Sequence, residues 1–124
     1  MKDNRPVNLD ITTIRFPLAA IGSIIHRISG MFIFLGVALL LYLLDLSLQS
    51  QAGFDQAQAM LNNFIVKLVA WAVVAALLYH LIAGIKHLLM DLGIGETKQG
   101  ARTGALIVMS LSGIATVTAG IWIW

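Results

Sequence analysis

The chain contains no cysteine and few charged residues, and both shortages narrow what it can do. Without cysteine, disulfides, thiolate metal sites and cysteine nucleophiles are excluded. Charged residues make up 11% of the 124 positions, whereas soluble domains carry about 25%. A chain with so little charge cannot cover itself with a polar surface. A soluble globular fold is therefore excluded as well.

Hydrophobic residues account for 59% of the sequence and are gathered into long runs, which are typical of helices that span a bilayer. We predict an all-α integral membrane protein with a polar arm at residues 1–16 and a membrane domain at residues 17–124. Three helices are expected at about 17–46, 63–90 and 103–124, joined by a polar connector and a short polar loop. No secretory signal is expected, because the first apolar segment is too long and lacks a cleavage site.

The positions of lysine and arginine predict how the helices are oriented. Seven of the eight flank the N-terminal arm, the first half of helix one or the second loop, and only Lys67 lies near the first loop. Positive residues favour the cytoplasmic side, so we expect a cytoplasmic N-terminus and a periplasmic C-terminus. The net charge of +2 is too small to indicate nucleic-acid binding. Three helices cannot enclose a pathway, so the chain is expected to be one part of an assembly.

Arg27 is a charged residue within the first predicted span. Charged groups inside a membrane cost about 2.5–3.5 kcal/mol at the centre of a helix, and they usually mark function. Arg27 could extend its side chain to the cytoplasmic interface, or it could bind an anion or a polar ligand. Ser23 lies four residues before it and His26 is adjacent. Because Ser23 and Arg27 share a helix face, they can offer a hydroxyl and a guanidinium to one site.

His80 lies in the apolar segment WAVVAALLYHLIAGI of helix two. It could be a hydrogen-bonded core residue or a ligand. Ala76 and Gly84 lie four residues on either side of it, and Gly22 and Gly30 flank His26 in the same way. This spacing of small residues favours close helix packing, and it would also let a flat macrocycle lie beside an axial imidazole.

Spacing also limits which histidines can share a metal. His26 and His80 are each expected roughly 15 Å from the cytoplasmic ends of antiparallel helices. His87 is two turns from His80, about 10 Å along the axis, whereas the axial nitrogens of one metal are only about 4 Å apart. A second ligand to a metal bound by His80 must therefore be His26 or a histidine of another chain.

Four stretches carry a family resemblance: RPVNLD and TIRFP in the arm, SIIHRISG in helix one, and YHLIAGIKHLLMD in helix two. Across residues 5–93 the sequence resembles the cytochrome b membrane-anchor subunit of bacterial succinate dehydrogenase, respiratory complex II. The third helix matches only in length and hydrophobicity. The sequence departs from the family at Lys86, where arginine is frequent.

The resemblance implies that His80 is an axial ligand of haem b and that a second anchor subunit supplies the other ligand. It implies that Ser23 and Arg27 line the ubiquinone site, and that His26, Arg27 and His87 lie near the haem propionates. The implied partners are the second anchor, an iron–sulfur subunit that contacts the arm, and a flavoprotein subunit. The resemblance also implies a location among the lipids of the bacterial inner membrane. It leaves open whether the assembly is a trimer of heterotetramers.

Two alternatives remain at this point. The chain could be the corresponding anchor of a quinol:fumarate reductase, since the sequence does not fix the direction of electron flow. It could also be a structural membrane subunit without a redox role, whose histidines only bridge helices. In each case no catalytic activity is expected from the chain alone, because the flavin chemistry belongs to a partner.

Overall fold

The computed structural model describes residues 8–10 and 12–124, and this part of the chain is helical without strands. Its four helices are α1 (Leu18–Gln49), α2 (Gln51–Asn62), α3 (Phe64–Asp91) and α4 (Lys98–Ile123). Helices α1, α3 and α4 are long and apolar enough to cross a membrane. The predicted all-α membrane fold with three spanning helices is confirmed.

Helices α1 and α3 pack antiparallel through small residues. Near one end, the Tyr79 hydroxyl donates a hydrogen bond of 2.8 Å to the Gly22 carbonyl. Further along, the buried Val73 side chain faces Gly36, where a Cβ atom would overlap it. Later residues of α1 thus contact earlier residues of α3, as expected for two antiparallel helices. Glycine at these positions lets the two backbones approach closely.

Helix α4 packs antiparallel against α3. The Trp71 indole Nε1 donates a hydrogen bond of 3.1 Å to the Thr116 carbonyl, and a Cβ atom at Gly120 would lie 3.1 Å from the same nitrogen. At the other end, the aliphatic part of Lys86 lies against Gly104, where a Cβ atom would be 3.4 Å from Lys86 Cε. Gly104 and Gly120 of α4 thus lie directly against the Lys86 and Trp71 side chains of α3.

The polar connector is helical over most of its length and forms α2, a helix that was not expected from the sequence. Helix α1 continues to Gln49, and Ser50 then caps α2 by accepting a hydrogen bond of 3.0 Å from the Gly53 amide. Gly53 and Ala57 are the buried residues of α2. A Cβ atom at Gly53 would overlap the Leu46 carbonyl. The segment is therefore a short amphipathic helix folded back against the end of α1.

The third spanning helix begins earlier than expected. Thr97 caps α4 by accepting a hydrogen bond of 3.0 Å from the Gly100 amide, so Lys98 and Arg102 lie within the helix. The preceding loop contains Gly93 and Gly95, whose φ angles are 81° and 79°. Glycine adopts this left-handed region without steric cost. Helix α4 thus begins at Lys98 rather than at the expected residue 103, and its first two turns contain two positive charges.

Gly93 also ends helix α3. The Ile94 amide donates to the Leu89 carbonyl and the Gly93 amide donates to the Met90 carbonyl, both at 2.9 Å. These two bonds form the Schellman arrangement, in which a residue with positive φ follows the helix and satisfies its last carbonyls. The chain can then reverse into α4 within six residues, so that Lys86 of α3 and Lys98 and Arg102 of α4 lie at the same end of the two helices.

Candidate functional site

His26 of α1 and His80 of α3 lie face to face between the two helices. Their ring centroids are 4.0 Å apart, and the ring planes differ by 13°. The sequence predicted that both residues lie at the same depth on antiparallel helices, and in the structure their rings are in contact. Each side chain is half-buried, so the pair lies at the edge of the bundle rather than in a sealed core.

Each of the two histidine rings packs against a glycine of the opposite helix. A Cβ atom at Gly30 of α1 would lie 3.0 Å from His80 Cε1, and one at Gly84 of α3 would lie 3.5 Å from His26 Nε2. Each imidazole thus lies against a glycine of the opposite helix. The small-residue spacing accommodates the histidine rings themselves and also lets the two helices approach each other.

The hydrogen bonds of His80 determine which ring nitrogen carries the proton. His80 Nδ1 lies 3.1 Å from the backbone carbonyl oxygen of His26 and 3.1 Å from Ser29 Oγ. Ser29 Oγ itself donates to the same carbonyl at 2.7 Å. A carbonyl oxygen only accepts, so the short contact from Nδ1 is favourable only when Nδ1 is protonated. Nε2 is then the nitrogen with a free lone pair, which is the form that binds a metal.

His87 of α3 lies beside His26 and is directed toward the space between the helices. Its ring centroid is 5.1 Å from that of His26, with the planes tilted by 49°. His87 and Lys86 line a small cavity of about 10 Å³, which Gly22, Tyr79, Ala83, Ala105 and Val108 close. This volume is about that needed for one water molecule. His87 is therefore directed toward this space between the helices.

Ser23 and Arg27 lie in the N-terminal half of α1, where Arg27 directly follows His26 and Ser23 lies about one turn before it. The Arg27 side chain is exposed and Ser23 is half-buried. The structure therefore leaves the guanidinium accessible to a partner or a ligand. Among the described residues, no group of three or more histidine and carboxylate side chains has the geometry to hold a metal ion. Within the part of the chain that the structure describes, these side chains alone would therefore supply a metal with fewer than three ligands.

Two residues of the cluster were not selected as site residues from the sequence. Ser29 bridges His26 and His80, and Tyr79 fastens α3 to the Gly22 carbonyl. A serine three residues after a histidine in a helix often bonds back to that histidine's carbonyl, and this signal could have identified Ser29. Tyr79 gave no such local signal, because its partner is 57 residues away.

These features define the class of protein: a multi-pass membrane protein with a histidine cluster between its first two spanning helices. Residues 1–119 match the family model described as the succinate dehydrogenase/fumarate reductase transmembrane subunit. The chain belongs to this family. The match includes the arm, of which residues 1–7 and 11, and hence part of the RPVNLD stretch, lie outside the described residues.

Individual relatives agree over nearly the full length. The succinate dehydrogenase cytochrome b556 subunit of Coxiella burnetii is 47% identical over 125 residues, which cover 100% of both chains. The cytochrome b556 subunit of Paracoccus denitrificans is 30% identical over 94% of this chain and 91% of its own. The mitochondrial cytochrome b560 subunit of Sus scrofa is also 30% identical, over 92% and 69%. The similarity therefore extends from bacterial to mitochondrial anchors.

Proposed function

We propose that this chain is the haem b-binding membrane anchor of a succinate:quinone oxidoreductase, with His80 as an axial ligand of the haem iron. The observation that carries the proposal is the hydrogen bonding of His80. Its Nδ1 is held by the His26 carbonyl and Ser29, which leaves the Nε2 lone pair for a metal. Histidines that bind metals almost always donate their other N–H in this way.

The second axial ligand is proposed to come from the partner anchor subunit. His26 is the only other candidate that the sequence left open, and its ring is stacked on that of His80 at 4.0 Å. Rings in face-to-face contact would leave no room for a macrocycle between them. His80 would therefore hold the haem from this chain, and a residue of the partner would hold it from the other side, which supports a shared haem.

Near the ligand, His26, Arg27 and His87 are the residues proposed for the haem propionate region. When bound, haem b would supply a one-electron redox centre inside the membrane. Arg27 is the fixed cation of this group, because a guanidinium remains protonated in proteins. His87 could add a hydrogen bond from the inner face of the cluster, where its ring lies 5.1 Å from that of His26.

Ser23 and Arg27 are proposed to bind the carbonyl oxygens of ubiquinone. A quinone carbonyl accepts hydrogen bonds, and both side chains can donate them. Negative charge grows on the quinone oxygens during reduction, and a nearby guanidinium stabilises that charge. The exposure of Arg27 and the partial exposure of Ser23 support this role, since a site completed by partner subunits must begin as an open surface on this chain.

The remaining proposals concern the assembly. Electrons from succinate would arrive through a flavoprotein subunit and an iron–sulfur subunit, with the polar arm at residues 1–16 contacting the latter. The N-terminus would lie on the cytoplasmic side of a bacterial inner membrane. The chain would not catalyse a reaction alone. The family description names both succinate dehydrogenase and fumarate reductase, so an anchor that works in the reverse direction is the second candidate.

The haem proposal is tested by a reduced-minus-oxidised absorption spectrum of the purified complex, co-expressed with its neighbouring subunits. Low-spin b-type bands are expected in the wild type and in Lys67→Leu, and they should be lost or strongly reduced in His80→Leu. Lys67→Leu is the matched control, because it removes a polar side chain from the other end of the same helix, beside Trp124. Full haem content in His80→Leu would contradict the assignment, and a colourless intact wild-type complex would favour the structural alternative.

The quinone proposal is tested with Arg27→Leu. Removal of a charged donor should lower succinate–quinone reductase activity about tenfold or more, while succinate oxidation with a soluble dye stays unchanged. Arg102→Leu, which removes another exposed arginine near the same end of the bundle, should keep both activities. Unchanged quinone reduction in Arg27→Leu would contradict the site. A comparison of ubiquinone and menaquinone analogues would separate the two directions of turnover.

A further inference from the structure

Ser29 is one of two buried polar side chains among the described residues, with 7% of its surface exposed. The other is Ser112 of α4, which is 4% exposed and has no hydrogen-bond partner for its Oγ. Buried hydroxyls are normally hydrogen-bonded, and Ser29 follows this rule through contacts with both helices. The two serines therefore form a natural pair for comparison, because they share burial and chemistry but differ in their contacts.

The hydroxyl of Ser29 has one proton, and its position follows from the distances. Ser29 Oγ lies 2.7 Å from the His26 carbonyl, the shorter of its two contacts, and 3.1 Å from His80 Nδ1. If the hydroxyl donated to Nδ1 instead, the lone pairs of Nδ1 and of the carbonyl would face each other at 3.1 Å. The favourable arrangement has Ser29 donating to the carbonyl and accepting from Nδ1–H, which is thus shared by two oxygens.

We propose that Ser29 is a positioning residue for His80. It holds the imidazole in the tautomer with protonated Nδ1 and fixes the ring between Gly30 and the His26 ring. Because Ser29 accepts from Nδ1–H, it also makes the opposite nitrogen more electron-rich and a better metal ligand. The inference rests on the proposed haem site and adds to it a residue of this chain that acts on the ligand without touching the iron.

The role predicts how a Ser29→Ala variant would differ from wild type. With one acceptor lost, Nδ1–H keeps only the His26 carbonyl, and the ring is less firmly oriented. Loss of such an outer partner typically lowers metal affinity about 10–100-fold, so haem affinity should fall about tenfold or more. A less electron-rich ligand stabilises ferric iron less than before, so the midpoint potential of the haem should rise.

The experiment compares Ser29→Ala, Ser29→Thr and Ser112→Ala in the purified complex. Haem affinity is measured by titration and the midpoint potential by spectroscopic redox titration. Threonine keeps the hydroxyl, so Ser29→Thr should recover most of the affinity and potential. Ser112→Ala should match the wild type in both, because its hydroxyl has no partner. Wild-type haem affinity and potential in Ser29→Ala would overturn the proposal.

A second measurement does not depend on haem. The chain has three histidines, so selective ¹⁵N labelling of the full chain gives three resolvable imidazole signals, and His80 is assigned by its loss in His80→Leu. Wild-type His80 should show protonated Nδ1 and free Nε2, and Ser29→Ala should move it toward a mixture of tautomers. An unchanged signal would overturn the role of Ser29, whereas a wild-type complex without haem would refute only the haem proposal.

Discussion

At the scale of single residues, the cluster depends on where glycine stands as much as on where histidine stands. Gly22 and Gly30 lie at equal distances on either side of His26, yet their surroundings differ. A Cβ atom at Gly30 would lie 3.0 Å from His80 Cε1, whereas one at Gly22 would lie at an ordinary 3.6 Å from the Tyr79 hydroxyl oxygen. Only Gly30 is therefore required by the position of the His80 ring.

This difference predicts that two similar glycine-to-alanine substitutions have different effects on haem affinity. Gly30→Ala should push the His80 ring from its place, because close-packed side chains have little room to move. The complex should then bind haem about tenfold more weakly, as expected when the orientation of a ligand is disturbed. Gly22→Ala should keep wild-type affinity. Haem titration of both variants measures the effect, and equal affinities would contradict the packing argument.

Asp10 in the arm gives a prediction of pH dependence. The Thr12 hydroxyl and the Thr12 amide both donate to its carboxylate, at 2.6 and 3.0 Å, and they hold the pKa of Asp10 below its ordinary value. These bonds belong to the turn at Asp10–Thr13. Because the folded-state pKa of Asp10 is depressed, its ionised carboxylate stabilises this turn at pH values above the unfolded-state pKa. The stabilisation is lost as the pH falls through the folded-state pKa. The turn should therefore loosen only in acid.

The amide proton shift of Thr12 in the labelled full chain measures this transition. It should titrate with a midpoint below about 3.9, the ordinary pKa of aspartate. In Asp10→Asn the amide oxygen can still accept from Thr12, so the shift should become independent of pH in the same range. A midpoint at or above the ordinary value would show that Thr12 does not stabilise the carboxylate.

At the scale of the elements, close approach of α1 and α3 brings the cluster together. Val73 is 1% exposed, and a Cβ atom at Gly36 would overlap both of its methyl groups. Valine in a helix has one strongly preferred rotamer, so it cannot turn away from an added methyl group. The Gly36–Val73 contact therefore sets the distance between the helices two to three turns from the histidines.

Gly36→Ala should accordingly separate α1 from α3 and destabilise the chain by about 1–3 kcal/mol, the usual cost of overpacking. Gly113 on α4 is the matched control, because nothing lies within 4 Å of a Cβ atom placed there. Gly113→Ala should leave stability unchanged or raise it slightly, since alanine favours helix more than glycine does. Thermal unfolding in detergent, followed by circular dichroism, compares the two. Equal melting temperatures would contradict a tight contact at Gly36.

The same elements explain how far the sequence could predict the fold and the cluster. The three spanning helices followed from long apolar runs, and the similar depth of His26 and His80 followed from their distances to the helix ends, although depth alone did not predict that their rings meet. Helix α2 was missed because its segment is polar and short, although Ser50 is a good N-cap. The bridge formed by Ser29 was missed because it needs the contact between two helices, which spacing along one helix does not reveal.

At the scale of the whole molecule, the helices bury little of their surface against one another. Only 6%, 17% and 11% of the residues in the most apolar windows of α1, α3 and α4 are buried. Large side chains such as Phe34, Leu35 and Ile121 are 74–80% exposed. Lipid or partner helices must cover this surface, since a soluble monomer rarely exposes so much of it. The bundle is thus suited to act as one part of a larger membrane assembly.

Charge is distributed unevenly between the two ends of this bundle. Arg15 and Arg27 lie toward the end that also contains Lys98 and Arg102, whereas Lys67 lies at the opposite end with its Nζ 5.9 Å from the Trp124 ring centroid. Positive residues concentrate on the cytoplasmic side of membrane proteins. The α3–α4 loop should therefore face the cytoplasm, and helix α2 should face the periplasm.

The absence of native cysteine makes this orientation directly measurable. Asp55→Cys in α2 and Glu96→Cys in the α3–α4 loop each introduce one exposed thiol. In cells whose outer membrane alone is made permeable, a membrane-impermeant maleimide should label the thiol at position 55 and not the one at position 96. Disruption of the inner membrane should then make both reactive, which shows that each thiol is accessible. The reverse pattern would invert the topology, and it would move Ser23 and Arg27 to the side away from a cytoplasmic electron donor.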